Sequence, residues 1–306
     1  MTEPELTLDE AELHRLAESA LAEDRADRDV TTAALVPEGQ TGRGLIIAKA
    51  EGILAGLPIA HAVFAAAGAS LAWRAEQEDG HRLSPGDRVV TIEGSLASIL
   101  RAERVALNYL THLSGVATAT ATVVRALEGT GCRLRDTRKT IPGLRALEKY
   151  AVRVGGGTNH RPNLAGGVLI KDNHLAALRD RDLGIADALR LARQSLARLG
   201  NPDTRIEIEV TTVDEARQAL DAAADELLLD NMPPDQMREV VALAAASRSD
   251  PDEPASSGRR PLLEASGGIS LENARAVAQT GVDFISMGAI THSAQALDMS
   301  LELEAV

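Results

Sequence analysis

The sequence predicts an α/β protein in which an incomplete (β/α) barrel follows an N-terminal α+β sandwich domain. From Arg133 onward, short apolar segments that end in polar residues alternate with helical segments. Strands that alternate with helices indicate a parallel sheet. The chain before residue 114 lacks this repeat. We therefore expect an N-terminal domain over 1–114, a catalytic barrel over 115–290 and a C-terminal helix over 291–306 that packs on the N-terminal domain.

The N-terminal domain mixes helices and strands. Residues 8–23 have apolar side chains at helical intervals, and residues 58–67 predict a second, short helix. A helix from Ser95 to about Ser114 follows, and we expect Gly115 to interrupt it before a Thr- and Ala-rich helix that ends at Glu128. The segments with strand-like patterns are 44–56, 70–77 and 84–94.

The expected barrel strands are the six apolar segments of the repeat. Their polar ends are separated by 32, 38, 21, 36 and 22 residues, each enough for one crossover helix. Residues 152–158 could add a seventh strand, and an open doubly wound sheet is the alternative architecture. In a (β/α) barrel the carboxyl ends of the strands form the active face. Those ends are Lys139, Lys171, Glu209, Asp230, Ser266 and Gly288.

Composition excludes several classes of function. The net charge of −13 argues against binding to the phosphate backbone of nucleic acids or to anionic lipid. Five aromatic residues are too few for base-stacking platforms. One cysteine, Cys132, permits no internal disulfide and no cysteine-built zinc site. With no apolar run of about 18 residues and no signal-peptide pattern, we expect a cytoplasmic protein without a membrane partner.

Positive charge is concentrated between Arg133 and His174. This segment has nine Lys and Arg against three acids, whereas the rest of the chain carries −19. Such an island predicts a site for a small polyanion. The alternative is a basic helix face, since Arg145, Lys149 and Arg153 have helical spacing. We expect Lys149 to be solvated and His174 to act as a cap, and the cations expected around the rim are Arg138, Lys139, His160, Arg161 and Lys171.

Acids and glycines at the later strand ends complete the predicted site. Glu209 and Asp230 could hold Mg²⁺ or sugar hydroxyls, with Glu207 on the face of Glu209; alternatively, one of the acids pairs with the basic island. Glycines after Ser266 would bring backbone N–H groups close to a phosphate. Residues 247–261, rich in Ser, Pro, Asp and Gly, predict a mobile loop at the opposite face.

Several motifs resemble the quinolinate phosphoribosyltransferase family (carboxylating nicotinate-nucleotide pyrophosphorylase). The densest are AERVALNYLTHLSGVAT, DTRKTIPGLRALEKYAVRVGGGTNHR, IKDNH, LLLDNM, EASGGIS and SMGAITHS. The resemblance implies an N-terminal α/β domain joined to an incomplete barrel of about seven strands. It also implies a homodimer whose active sites are shared, so that Arg104 would reach the partner's site. From the helix pattern alone, Glu103 and Arg104 would instead form a structural pair, because both lie on or beside the apolar face of their helix.

The resemblance further implies roles for individual residues. Glu209 and Asp230 would face the ribose and the Mg²⁺ of phosphoribosyl pyrophosphate, and with Lys139 and Lys171 they form the expected catalytic group. The residues expected to line the quinolinate pocket are Thr137, Arg138, Lys139, His160, Arg161 and Lys171. The phosphate would be held by Ser266, Gly267, Gly268, Met287, Gly288 and Ala289, with His292 completing the pocket.

The implied reaction is a glycosyl transfer in NAD biosynthesis. The pyridine nitrogen of quinolinate would attack the anomeric carbon of the ribose, and pyrophosphate would leave. Since the resulting pyridinium accepts electrons, CO₂ loss would need no organic cofactor, and the product would be nicotinate mononucleotide. The alternatives are a phosphoribosyltransferase for another heterocyclic acid, a Schiff-base aldolase that uses Lys139 or Lys171, and a non-catalytic binding protein.

Overall fold

The computed structural model describes residues 6–68, 70–247 and 260–304. The chain divides into two compact units, the first formed by Met1–Thr122, Lys139–Gly157 and Ile290–Val306. The second contains Val123–Arg138 and Thr158–Ala289. The division therefore runs later than residue 114 and assigns one internal segment to the first unit. Most of the segment 247–261, which is predicted to be a mobile loop, lies outside the described residues.

The first unit contains a four-stranded antiparallel sheet in its described part, with strand order β12-β1-β5-β3. Asp9 starts the first helix with a capping box, because its carboxylate accepts from the N–H of Glu12 at 2.8 Å. The helices are α1 (Glu10–Glu23), α2 (Val30–Leu35), α3 (Leu57–Ala67), α4 (Leu96–Ala126), α5 (Arg145–Val154) and α11 (Ala289–His292). The strands are β1 (Thr41–Ala48), β2 (Gly52–Ile53), β3 (Ala72–Ala75), β4 (Arg82–Leu83), β5 (Arg88–Ser95) and β12 (Met299–Glu304).

The predicted C-terminal helix over 291–306 is wrong for most of that segment. After the short α11, residues Met299–Glu304 form β12 and pair antiparallel with β1. Apolar and polar residues alternate in MSLELE, which is the period of a strand. Ion pairs from Arg43 to Glu304 at 3.2 Å and from Lys49 to Glu302 at 2.6 Å accompany the pairing.

Gly115 does not interrupt the long helix. α4 continues through it from Leu96 to Ala126, and the hydroxyl of Thr120 donates to the carbonyl of Val116 at 2.8 Å within the helix. A Cβ at Gly115 would lie 2.2 Å from the carbonyl oxygen of Gln295. The glycine therefore permits close approach of another segment rather than a break.

The second unit contains six parallel strands in its described part, in the order β6-β11-β10-β9-β8-β7. This sheet confirms the predicted parallel α/β repeat. Residues 152–158 add no further strand there, but Thr158 forms an isolated parallel bridge to Arg135. The strands are β6 (Arg133–Arg135), β7 (Val168–Ile170), β8 (Ile206–Val210), β9 (Glu226–Asp230), β10 (Leu262–Ser266) and β11 (Phe284–Ser286). The helices are α6 (Asp172–Arg179), α7 (Ile185–Arg198), α8 (Val213–Asp221), α9 (Pro234–Ala246) and α10 (Leu271–Ala278).

A buried ion cluster joins strands that are not neighbours in this sheet. Arg135 on β6 donates to Glu226 on β9 and, at 2.6 Å, to Glu264 on β10. In a flat sheet β6 and β9 would be about 14 Å apart, three strand spacings. A sheet that curves into a barrel brings such side chains together on its inner face. Among the described residues, no helix is long and apolar enough to cross a membrane.

Gly115→Ala should destabilise the protein. Overlap of the new Cβ with the Gln295 carbonyl costs about 1–3 kcal/mol, more than the roughly 1 kcal/mol that alanine adds through helix propensity. Urea denaturation would measure the free energy of unfolding. The control is Thr122→Ala at an exposed position of the same helix, which should be neutral or slightly stabilising; equal stability of both variants would contradict the packing argument.

Arg135→Met should destabilise the second unit by about 3–5 kcal/mol, because it leaves buried carboxylates without their cation. Burial and the charge of Glu207 already raise the pKa of Glu264 to about 7. Loss of Arg135 should raise it further. A carboxyl group whose pKa is higher in the folded than in the unfolded protein destabilises the fold as the pH rises from the lower pKa to the higher one. The stability that Arg135→Met loses relative to wild type should therefore be larger at pH 8 than at pH 6.

The matched control is Arg133→Met. Arg133 lies on the same strand, and its guanidinium stacks on Phe284 at 4.5 Å from the ring centre, as that of Arg135 does at 3.4 Å. Arg133 is exposed and forms no ion pair with any residue that the structure describes. Thermal unfolding at both pH values should show a small, pH-independent change for this control, and an equal loss for both variants would contradict a special role of the cluster.

Candidate active site

The carboxyl ends of β7 and β8 bring Lys171 and Glu209 together. The Lys171 ammonium lies 2.8 Å from a carboxylate oxygen of Glu209. Lys171 precedes α6, and its backbone N–H donates to Nδ1 of His174 at 2.8 Å. This confirms the capping role predicted for His174 and fixes the start of α6 at the strand end.

Asp230 lies at the end of β9, the strand beside β8. Residues Glu209 and Val210 pair with Leu228 and Leu229, so Asp230 follows directly beyond this pairing. One oxygen of Asp230 accepts from the amide of Asn231 at 2.8 Å. The two carboxylates therefore lie at one edge of adjacent strands, and their hard oxygen atoms are the donors that Mg²⁺ prefers.

A glycine turn follows β10. Ser266 pairs in register with Asp230, and Gly267 and Gly268 both have left-handed backbone conformations, with φ of 82° and 59°. A Cβ on Gly267 would lie 2.4 Å from the side-chain oxygen of Asn231. The turn leads into α10, where the Ser270 N–H donates to Asn273 at 2.9 Å. Glycine is therefore required here by backbone conformation and by space.

The predicted phosphate residues after β11 have different environments. Met287 is buried, and its backbone N–H donates to the Arg135 carbonyl at 3.1 Å as a continuation of the sheet. That N–H is used within the fold. Gly288 follows it, and Ala289 begins α11.

Arg138 and Arg161 form a cationic pair in the second unit. Burial lowers the pKa of Arg161, and the nearby charge of Arg138 lowers it further. Arg161 donates to the Gly167 carbonyl at 3.0 Å, while its buried Nε has no hydrogen-bond partner among the described residues. Thr137 lies half-buried beside Arg138 in the sequence. An anion bound here would offset the repulsion between the two guanidinium groups.

Both ring nitrogens of His160 contact other groups of the chain. Nε2 lies 2.7 Å from Glu207, and Nδ1 accepts from the backbone N–H of Arg161 at 2.8 Å. Burial lowers the pKa of His160, but the hydrogen bond and charge of Glu207 outweigh it, so the net shift is upward. His160 is therefore anchored toward the barrel interior, below the strand ends.

Four predicted residues belong to the first unit. Arg104 is exposed on α4 and forms no ion pair with any described residue. Lys139 is exposed, and its carbonyl accepts from the hydroxyl of Thr291 at 2.8 Å. His292 is exposed, with Nδ1 lying 2.6 Å from the Ser293 hydroxyl. Lys149 is buried, so its predicted solvation is wrong.

The interior of the barrel contains charged residues that were not predicted from the sequence. Arg135, Glu226 and Glu264 were not predicted, and neither was Asp136, which is fully buried and accepts from the backbone N–H of His160 at 2.8 Å. The available signal was a charged residue on the inward face of otherwise apolar strands. Such a residue needs a partner within the fold.

Comparison with known proteins identifies the family. Family models described as the N-terminal and C-terminal domains of quinolinate phosphoribosyl transferase match residues 29–114 and 116–302. The nicotinate-nucleotide pyrophosphorylase [carboxylating] of Mycobacterium leprae is 42% identical over 289 residues, which cover 93% of this chain and 94% of that protein. The human protein of the same name is 37% identical over 97% of this chain and 94% of its own length.

Solved structures agree with the sequence relatives. The nicotinate-nucleotide pyrophosphorylase from Francisella tularensis is 35% identical, with a TM-score of 0.85 over 98% of both chains. NadC from Streptococcus pyogenes is also 35% identical, with a TM-score of 0.87 over 99% of this chain and all of that chain. Because both family domains match and these relatives span nearly the full length, the chain belongs to the quinolinate phosphoribosyltransferase family.

Proposed function

We propose that the strand ends described above carry out the reaction of the family, transfer of a phosphoribosyl group from phosphoribosyl pyrophosphate to quinolinate with loss of CO₂. The observation that carries the proposal is that two arginines, Arg138 and Arg161, lie close enough for their charges to interact, and that the buried Nε of Arg161 donates to no described residue. The two carboxylates on adjacent ring carbons of quinolinate match two neighbouring guanidinium groups in charge and in hydrogen-bonding geometry. The enzyme is then a glycosyltransferase of NAD biosynthesis.

The residues that we assign to quinolinate binding are Thr137, Arg138, Lys139, His160, Arg161 and Lys171. Arginine suits a carboxylate because its planar guanidinium can donate two parallel hydrogen bonds. With the substrate held, the lone pair of its pyridine nitrogen attacks the anomeric carbon, and the bond from that carbon to pyrophosphate breaks. Pyrophosphate leaves with the electron pair, and orientation of the two reactants supplies much of the acceleration.

Decarboxylation follows without an organic cofactor. When the bond from C2 to its carboxylate breaks, CO₂ leaves, and the electron pair stays on C2 beside the positively charged ring nitrogen. A proton then adds to C2 and gives nicotinate mononucleotide. The ion pair of Lys171 with Glu209 gives no support to the Schiff-base alternative, which requires an uncharged amine.

Glu209 and Asp230 are proposed to hold the Mg²⁺ that accompanies phosphoribosyl pyrophosphate, in part through water. Their place on adjacent strand ends and their oxygen donors support this role. Bound there, the ion would neutralise charge on the departing pyrophosphate. The phosphate is assigned to the turn Ser266–Gly268 and to Met287, Gly288, Ala289 and His292. Met287 can contribute only by packing, since its N–H is bonded to the Arg135 carbonyl and its thioether has no hydrogen-bond donor.

The proposal includes a homodimer in which Arg104 reaches the partner's site. Exposure of Arg104 and the absence of an ion pair to any described residue support a role outside its own protomer. A cytoplasmic location is also proposed, since the single cysteine is buried and unpaired, as suits a reducing compartment.

Asp230→Asn should raise the Mg²⁺ concentration that gives half-maximal activity by about tenfold or more, since an anionic ligand becomes neutral. Pyrophosphate release from quinolinate and phosphoribosyl pyrophosphate, titrated with Mg²⁺, measures it. Asp235→Asn is the control, because Asp235 is exposed on α9 and pairs only with Arg238 among the described residues. An unchanged Mg²⁺ requirement in Asp230→Asn would remove this assignment.

Arg104→Ala and Lys171→Ala should each abolish turnover while leaving the fold intact. If Arg104 acts in trans, mixing the two inactive proteins should restore activity, to at most about one quarter of wild type, because randomly mixed dimers are half hybrids and each hybrid has one intact site. Subunit exchange would be verified with two affinity tags. Exchange without recovery of activity would contradict a shared site.

A further inference from the structure

The segment Asn159–Arg161 is tied to the barrel by two buried carboxylates. Asp136 accepts from the backbone N–H of His160 at 2.8 Å and from the Asn159 amide at 2.6 Å. Glu207, only 5% exposed, lies 2.7 Å from Nε2 of His160. One anchor therefore holds the backbone of the segment, and the other holds the imidazole ring.

The second ring nitrogen fixes the tautomer. Nδ1 of His160 accepts from the backbone N–H of Arg161 at 2.8 Å, so in the neutral ring it carries no proton. The ring proton then lies on Nε2 and is donated to Glu207. A proton on Nδ1 would point at the Arg161 N–H and break this contact. The position of one proton thus decides whether the His160 ring supports the backbone of Arg161.

We infer that Glu207 is a positioning residue for quinolinate binding, which keeps the His160 proton on Nε2 so that Nδ1 holds Arg161 in place. The inference rests on the proposed function, in which Arg161 binds a carboxylate of quinolinate. Glu207 then acts through His160 and Arg161 without touching the substrate itself. This role also gives a physical reason for the His-Arg pair of the GGGTNHR motif.

A metal site at the same place is the competing interpretation. Ligand atoms of His160, Glu207 and Glu264 lie within 4.8 Å of one another. A metal on Nε2 of a neutral ring requires the proton on Nδ1, where the Arg161 N–H already points. Glu264 is in addition bonded to Arg135 at 2.6 Å. The hydrogen bonds therefore favour a proton between Glu207 and His160 over a metal ion.

Steady-state kinetics of Glu207→Leu and Glu207→Gln test the inference. The leucine variant should raise the KM for quinolinate about 10- to 100-fold, since a misplaced arginine loses its charge-assisted hydrogen bonds. The KM for phosphoribosyl pyrophosphate should stay within about twofold. The glutamine variant keeps an oxygen that accepts from Nε2, so its KM should stay within about threefold of wild type.

Glu226→Gln is the matched control. Glu226 is equally buried on the next strand but bonds to Arg135, so its loss disturbs the cluster without removing the acceptor for His160. Melting temperatures of all variants verify folding. A folded Glu207→Leu protein with an unchanged KM for quinolinate would overturn the inference, as would an equal increase of that KM in Glu226→Gln.

Two further measurements separate positioning from general structural damage. Nitrogen-15 NMR of histidine-labelled protein, with the His160 signal assigned by its loss in His160→Asn, should show the proton on Nε2 in wild type and a shift toward Nδ1 in Glu207→Leu. The double variant Glu207→Leu/Arg161→Ala should bind quinolinate no worse than Arg161→Ala. If the double variant raised the KM for quinolinate by the product of the two single effects, the inference would be overturned. An unchanged His160 tautomer in Glu207→Leu would overturn it as well.

The variants Arg161→Ala and Glu207→Leu also distinguish a failure of this inference from a failure of the proposed function. If Arg161→Ala leaves the KM for quinolinate unchanged, the assignment of Arg161 to the substrate fails first. If Arg161→Ala raises that KM but Glu207→Leu does not, only the positioning role fails. Metal analysis of the purified protein should find far fewer than one transition-metal ion per chain. One metal ion per chain in the wild type, lost in Glu207→Gln, would instead support the metal site.

Discussion

The barrel is organised around charges that cannot leave its interior. Glu207, Glu226 and Glu264 project from three neighbouring strands, and all three are buried. Arg135 bonds two of them and His160 contacts the third. Because an unpaired carboxylate in such a place is costly, each of these groups must lie within reach of a partner. The same requirement helps to tie the segment Asn159–Arg161 to the barrel, since His160 is the partner of Glu207 and Asp136 accepts from the His160 N–H.

This interior arrangement influences the two neighbouring arginines Arg138 and Arg161. Arg138 lowers the pKa of Arg161, but the negative charge of Glu207 acts in the opposite direction. The buried carboxylate thus offsets part of the repulsion between the two guanidinium groups. A protein with a net charge of −13 can in this way keep a local cationic site.

The repeat could be predicted from the sequence because each strand and its crossover helix are contiguous in the chain. The polar strand ends followed from the same pattern, and Lys171 meets Glu209 as two such ends should. The C-terminal strand was missed since its partner β1 lies about 250 residues earlier, and six residues carry little periodic signal. Gly115 was misinterpreted for a similar reason: the contact that requires glycine comes from Gln295.

The partner of each acid on β8 depends on the segment of the chain that lies over it, more than on residue type. Glu207 and Glu209 share one face of β8, about 6.6 Å apart along the strand. Their side chains are almost equally buried, but Glu207 bonds to the enclosed His160, whereas Glu209, near the strand end, meets the half-exposed Lys171. Sequence spacing alone gives both acids the same orientation, so it predicts the face but not the partner. The partners are remote in the sequence, since His160 lies 47 residues before Glu207 and Lys171 lies 38 residues before Glu209.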